Sequence, residues 1–146
     1  HTLKKFKFKN GVIKGLKYLT KKNYYIFIVT NQAGIGKKIY SLEKFIKLHK
    51  ELKEILIKEK IYINDVKYSP YHIDAKIKKF KKRSGFRKPG NLMIKEILKN
   101  WDILINKSFM IGDKISDKMC AEKSDLYFEF AKDNFYYQAR SIVKKG

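Results

Sequence analysis

The sequence predicts an α/β fold with a mostly parallel sheet and helices on both faces. Three observations carry this. Short apolar, β-rich runs alternate with longer segments whose apolar residues recur at helical spacing. The intervening segments are long enough for crossover helices, so successive strands run the same way. Hydrophobic residues make up 44% of the chain and aromatics 14%, too much for a disordered chain whatever its charge. At 146 residues the chain fits a single domain spanning 1–146.

Each element follows from its local pattern. After Asn10-Gly11, residues Val12, Ile13, Leu16 and Leu19 fall on one helical face. Tyr24-Tyr25-Ile26-Phe27-Ile28-Val29 is a continuous apolar run, which predicts a strand buried on both sides. Thr30 to Tyr40 reads as a loop containing Gly34 and Gly36. Ser41 is a favourable N-cap for a long helix with Leu42, Phe45, Ile46, His49, Leu52 and Leu56 on its apolar face. Asp65 to Ser69 reads as a short strand. Pro70 to Lys88 is polar, carries six lysines and Arg83, and is either a mobile loop or an insertion. Pro89-Gly90-Asn91 opens a helix with Leu92, Met93, Ile97 and Leu98, and Trp101 is expected to pack at its end. Ser108-Phe109-Met110-Ile111 reads as a buried strand ending in Gly112-Asp113. Ile115 to Lys123 is a short helix and Leu126-Tyr127-Phe128 a strand. Phe135, Tyr136, Ala139, Ile142 and Val143 mark a closing helix.

Composition narrows the function. The longest uncharged apolar run, Tyr24 to Val29, is far short of the ~20 residues of a membrane helix. His1-Thr2-Leu3-Lys4-Lys5 leads into no apolar signal core. The single Cys120 cannot form an internal disulfide, so a cytoplasmic protein without membrane partners is expected. The formal charge of +21 permits a nucleic-acid surface. However, the cations are scattered lysines with only Arg83, Arg87 and Arg140 among them, whereas base and bidentate phosphate readers favour arginine. Compositional bias accounts for the charge better than a dedicated surface, and no specific nucleic-acid partner is expected.

In parallel sheets the chemistry sits beyond the carboxyl ends of the strands. After the first apolar run come Thr30, Asn31 and Gln32, then Ala33-Gly34-Ile35-Gly36. Neutral donors, with glycines that let the backbone turn and approach closely, suit an anion; an ordinary polar exit from a strand explains the same residues equally well. Gly112-Asp113-Lys114-Ile115-Ser116-Asp117 places two carboxylates four apart after a buried strand, a pattern suited to Mg²⁺. The competing role for Asp113 is a helix N-cap. Arg87-Lys88-Pro89 sets two cations at a helix start, where they oppose the helix dipole unless an anion offsets them. Together, in this order, the three form a phosphoryl-transfer constellation: Thr30 and Lys88 hold phosphoryl oxygens, and Asp113 holds Mg²⁺.

The wording of these segments resembles the haloacid-dehalogenase-like (HAD) phosphatases. Val29-Thr30-Asn31-Gln32-Ala33-Gly34-Ile35 is similar to that family's second motif, Arg87-Lys88-Pro89 to its third, and Ile111-Gly112-Asp113-Lys114 with Asp117 to its fourth; the likeness runs from His1 to about Phe130. The resemblance implies a three-layer Rossmann-like fold and a Mg²⁺-dependent hydrolase of small sugar bisphosphates, in carbohydrate and lipopolysaccharide-precursor metabolism. It implies D-glycero-D-manno-heptose 1,7-bisphosphate as substrate, with histidinol phosphate as the neighbouring alternative. It further implies that Thr30 stabilises the transferring phosphoryl group while Asn31, Gln32 and Ala33 line the substrate site. Arg87 contributes to substrate recognition, Lys88 neutralises phosphoryl charge, Asp113 ligates Mg²⁺, Lys114 contacts substrate, and Asp117 supports the metal site from behind.

Two departures stand out. The family's nucleophile belongs to an Asp-x-Asp motif on the first, central strand, and the 146 residues hold no such pair. His1 matches a position just after that motif, so the sequence reads as beginning downstream of the strand. Many relatives also hold a structural zinc in the long loop. The corresponding positions here are Ser69, Tyr71, Ser84 and Phe86, and His72 alone cannot form a four-ligand site. No zinc is expected in the 70–88 loop, which Tyr71, Phe80 and Phe86 are expected to hold by packing.

Elsewhere, His49 reads as a core histidine and Cys120 as a packed thiol. The aromatics Tyr127, Phe128, Phe130, Phe135, Tyr136 and Tyr137 read as core and edge cover. A monomer is expected. The rival functions are a non-catalytic phosphate-binding module and a basic nucleic-acid binder.

Overall fold

The computed structural model describes residues 8–146 and shows two compact units. Among the described residues, one takes in 8–27, 42–65 and 131–146, and the other 28–41 and 66–130. The chain order is α1 (Val12–Lys21), β1 (Phe27–Asn31), α2 (Ala33–Gly36), α3 (Leu42–Lys58), β2 (Asp65–Ser69), α4 (Leu92–Asn100), β3 (Phe109–Gly112), α5 (Ile115–Lys123), β4 (Tyr127–Phe130) and α6 (Phe135–Lys145). The alternation of strands and helices is that of an α/β fold. The expectation that His1 follows an Asp-x-Asp strand lies outside the described residues.

The first unit is built on helices. The α1 face carrying Leu19 meets α6, whose Ala139 and Ile142 are buried. Tyr18 and Tyr136 pack edge to face at 5.9 Å, and Phe135 N–H donates to Asn10 O at the start of α6. Asn134 caps that helix, its Oδ1 accepting from Tyr137 N–H at 3.1 Å. On α3, Phe45 and Leu56 are buried, each such burial stabilising by about 1.5–3 kcal/mol. Ile46, expected on the same face, is instead 51% exposed. His49 packs on Phe45 with ring centroids 4.3 Å apart and the planes tilted by 41°, and its buried Nδ1 has no hydrogen-bond partner among the described residues. Burial, then the charge of Lys53, lowers its pKa.

The predicted strand at Tyr24 begins later. Asn23 is left-handed (φ 64°), and Tyr24 N–H returns to Leu19 O, so Tyr24 closes the turn after α1. Ile26 N–H is taken by the Asn64 side chain at 2.8 Å. The strand therefore covers Phe27–Asn31, and Thr30 and Asn31, expected in a loop, belong to it. Asn64 N–H donates to Ile26 O ahead of β1 and Gln32 N–H to Ser69 O beyond its end, so β1 and β2 run the same way. In the second unit β3 and β4 pair in parallel, from Phe109 with Tyr127 to Gly112 with Phe130. Among the described residues the strands form two two-stranded sheets, β1-β2 and β3-β4. With one strand partner each, the residues of β1 and β3 are half-buried rather than enclosed on both sides.

The 70–88 segment is folded on itself. His72 N–H donates to Phe80 O, His72 and Lys81 form an isolated bridge, and Tyr71 packs edge to face on Phe80 at 5.7 Å. Lys76 and Ile77 N–H both donate to Gly36 O, and the preceding Ala75 is buried. Phe86 N–H bonds to Ser84 Oγ. Of the late aromatics expected as core and edge cover, Tyr127, Phe130 and Tyr137 are 50%, 42% and 64% exposed, so none of these three is core. No helix is long and apolar enough to cross a membrane among the described residues.

Candidate functional site

All residues singled out from the strand ends lie in the second unit. At its centre is Lys88, whose side chain is 11% exposed. Its Nζ donates to Asp117 Oδ1 at 2.5 Å and to Val29 O at 3.1 Å. An ammonium has three N–H donors, so one remains after these two bonds. The lysine is not in a helical first turn, as its place before Pro89 suggested, because α4 starts only at Leu92. Its charge is offset by Asp117 instead of opposing a helix dipole.

The backbone of Lys88 is equally fixed. Asn31, at the end of β1, accepts from Lys88 N–H at 2.9 Å and donates from Nδ2 to Lys88 O at 3.1 Å. This reciprocal pair imitates a strand bridge and ties the loop to β1. Asn31 was expected to line the substrate site; its amide is engaged in holding Lys88. Arg87 sits in a tight turn, with N–H donating to Ser84 O and its carbonyl accepting from Gly90 N–H. Its Nη1 is buried with no partner among the described residues. A buried guanidinium nitrogen without an acceptor is costly, and an anion would satisfy it.

Asp117 is 5% exposed on its side chain and accepts from three donors. Besides Lys88, these are Asp113 N–H and Lys114 N–H, both to Oδ2 at 3.1 Å. The third residue of α5 thus reaches back to the helix start and favours it through the helix dipole. Burial alone would raise its pKa. The hydrogen bond and charge of Lys88, with the two backbone donors, outweigh this and lower it. Gly112 makes room: a Cβ there would lie 2.5–2.7 Å from the Asp117 side-chain atoms. Asp113 and Lys114 have exposed side chains just beyond β3.

Magnesium takes oxygen ligands and usually keeps several waters, binding through one or two carboxylates and substrate phosphate. Asp113 fits one such position, being a solvent-facing carboxylate on a rigid strand end. Asp117 does not, since its oxygens are engaged. No group of three His, Cys, Asp or Glu side chains is arranged for a metal among the described residues.

At the β1 exit, Thr30 Oγ1 accepts from Gln32 Nε2 at 2.8 Å, and Gln32 Oε1 accepts from Tyr40 O–H. Ala33 starts α2. Sequence reading gave Gly34 and Gly36 the task of turning the chain; neither has a left-handed φ, and both lie in α2. The turn is made by Lys38 (φ 60°), with Lys38 N–H to Ile35 O and Ile39 N–H to Gly34 O. That is the Schellman pattern with lysine in the usual glycine place, costing about 1–2 kcal/mol. Gly34 serves a close approach, because a Cβ there would overlap the Tyr40 ring. Tyr40 was missed: nothing in its local sequence distinguishes it, and only the turn at Lys38 brings it back. Cys120, fully buried within α5, has its thiol pKa raised by burial.

Comparison with known proteins gives the fold and the family. The fold is that of the HAD-like phosphatases. The crystal structure of D,D-heptose 1,7-bisphosphate phosphatase from B. bronchiseptica, complexed with magnesium and phosphate, superposes with a TM-score of 0.77 at 14% identity, over 93% of this chain and 83% of that one. The chain belongs to the polynucleotide kinase 3 phosphatase family, whose profile matches residues 2–139. It is 34% identical over 121 residues to a D-glycero-beta-D-manno-heptose-1,7-bisphosphate 7-phosphatase of Photorhabdus laumondii, covering 83% of this chain and 64% of the relative. It is 29% identical over 125 residues to the protein of the same name in Rhodopseudomonas palustris, covering 86% and 69%. The chain thus spans about two thirds of the length of these relatives.

Proposed function

We propose that this protein acts with magnesium in hydrolysing a phosphomonoester of a small sugar bisphosphate, D-glycero-D-manno-heptose 1,7-bisphosphate. The observation that carries the reading is the position of Lys88, which touches both the β1 end through Val29 and the β3 exit through Asp117. Its remaining donor serves a phosphoryl oxygen in this reading. Thr30, next to Val29, adds a hydroxyl donor, and Arg87, whose Nη1 has no partner among the described residues, adds a second cation. Donors already in place need no reorganisation as charge builds on the phosphoryl oxygens. Asp113 would hold magnesium, which when bound supplies further charge neutralisation. Lys114, exposed beside it, contacts the sugar. Asn31 and Asp117 hold Lys88 in position. The relatives named above support the substrate. The chain holds no Asp-x-Asp pair, and no residue in it is assigned the nucleophile's role.

The test is calorimetric titration, in magnesium buffer, with the heptose bisphosphate, histidinol phosphate and a 3′-phosphorylated oligonucleotide. Tightest binding of the heptose compound, weakened in Thr30→Val, is expected. Tighter binding of the oligonucleotide, or no effect of Thr30→Val, overturns the reading. With an Asp-x-Asp strand joined ahead of His1, phosphate release from the heptose compound is expected. No release with any divalent metal contradicts the hydrolytic half.

A further inference from the structure

Thr30 owns one O–H donor and two lone pairs. One lone pair is taken by Gln32 Nε2, and the amide's other end is taken by Tyr40 O–H. The orientation of a glutamine amide is set by its partners. Were it reversed, Oε1 would face Thr30 and draw the hydroxyl proton to itself, removing the donor from the open side. Tyr40 donates to the carboxamide oxygen, and a phenol, more acidic than the threonine hydroxyl at the other end, favours that arrangement. We propose that Tyr40 is a positioning residue: through Gln32 it keeps the Thr30 hydroxyl as a donor to the phosphoryl group. This rests on the phosphoryl-binding reading of Thr30 and gives Gln32 a supporting task rather than a substrate contact.

Three further features agree. Tyr40 is carried to this place by the left-handed turn at Lys38, a conformation disfavoured for lysine, so the return of the chain is held by the surrounding bonds. Gly34 lacks the Cβ that would push the ring away. Gln32 is fixed at its backbone by Ser69 O, so its side chain swings from an anchored base.

The experiment is a double-mutant cycle on binding of inorganic phosphate in magnesium buffer, read by calorimetry. Tyr40→Phe is expected to weaken phosphate about threefold to tenfold, the worth of one hydrogen bond, with the melting temperature nearly unchanged. In a Thr30→Val background the same change is expected to cost nothing, and Thr30→Ser is expected to restore sensitivity to Tyr40→Phe. Gly34→Ala should reproduce the Tyr40→Phe loss. An equal loss with and without the Thr30 hydroxyl makes Tyr40 merely structural and overturns the proposal, as does no loss in the wild-type background. Absence of phosphate binding by the wild type overturns the reading of the site itself. A ligand-free measurement stands apart from that reading. Gln32 and Gln138 are the chain's two glutamines, so protein labelled with ¹⁵N at the glutamine side chain gives two amide pairs, assigned by Gln138→Glu. Tyr40→Phe is expected to shift the Gln32 pair and speed its hydrogen exchange, and an unmoved pair refutes the relay.

Discussion

Lys17 and Glu59 in one unit, and Lys88 and Asp117 in the other, form ion pairs of similar length, 2.8 and 2.5 Å. The first pair is 43% and 45% exposed, and water screens it. The second is 11% and 5% exposed, and each member has further bonds: Lys88 to Val29 O, Asp117 to two backbone N–H groups. Identical chemistry therefore does different work. The exposed pair can be lost with little consequence. The enclosed pair is far less screened by solvent, and its added bonds fix the position of a cation with a donor to spare. In a chain of net charge +21, what distinguishes one lysine from the rest is the frame around it.

The largest expected effect follows from breaking the enclosed pair. Lys88→Met leaves Asp117 buried and unpaired, and should lower unfolding free energy by about 3 kcal/mol or more, read by urea titration. Inserting a methyl beneath the carboxylate is milder: Gly112→Ala should cost about 1–3 kcal/mol by overpacking and weaken phosphate binding at the same time. A third test concerns the first unit. His49 has a lowered pKa in the folded chain, so the unfolded chain binds more protons and stability falls as pH drops through the ordinary histidine range. His49→Phe should flatten that slope between about pH 7 and 5, whereas an unchanged slope would place the titration elsewhere. The smallest effect belongs to the exposed pair. Lys17→Met should change stability by no more than about 0.5 kcal/mol, fading in high salt. A loss comparable to that of Lys88→Met would dissolve the contrast.

Much of this was legible in the sequence. Apolar spacing located α1, α3, α4 and α6, and three strand-end segments held the residues from which the candidate site is built. Strand limits were less legible, because the apolar run from Tyr24 says nothing of the left-handed Asn23 or of Asn64 capturing Ile26 N–H. The supporting tasks were hidden for the same reason. Asn31 pairs with a backbone 57 positions away, and Asp117 with a lysine 29 away, and no local spacing encodes either. Tyr40 is eight positions from Gln32 yet depends on a turn that a lysine would not ordinarily make. Glycine content was visible, but its use was not. Gly34 and Gly112 make space for a ring and a carboxylate rather than bending the chain.

The account rests on Thr30, Lys88 and Asp113 serving one phosphoryl group at the strand ends. A crystal structure of the protein grown with phosphate and magnesium tests this most directly. The expected result is a phosphate within hydrogen-bonding distance of Thr30 Oγ1 and Lys88 Nζ, with magnesium on Asp113. A phosphate held only by the exposed lysines of 76–82, with the strand ends empty, would contradict it.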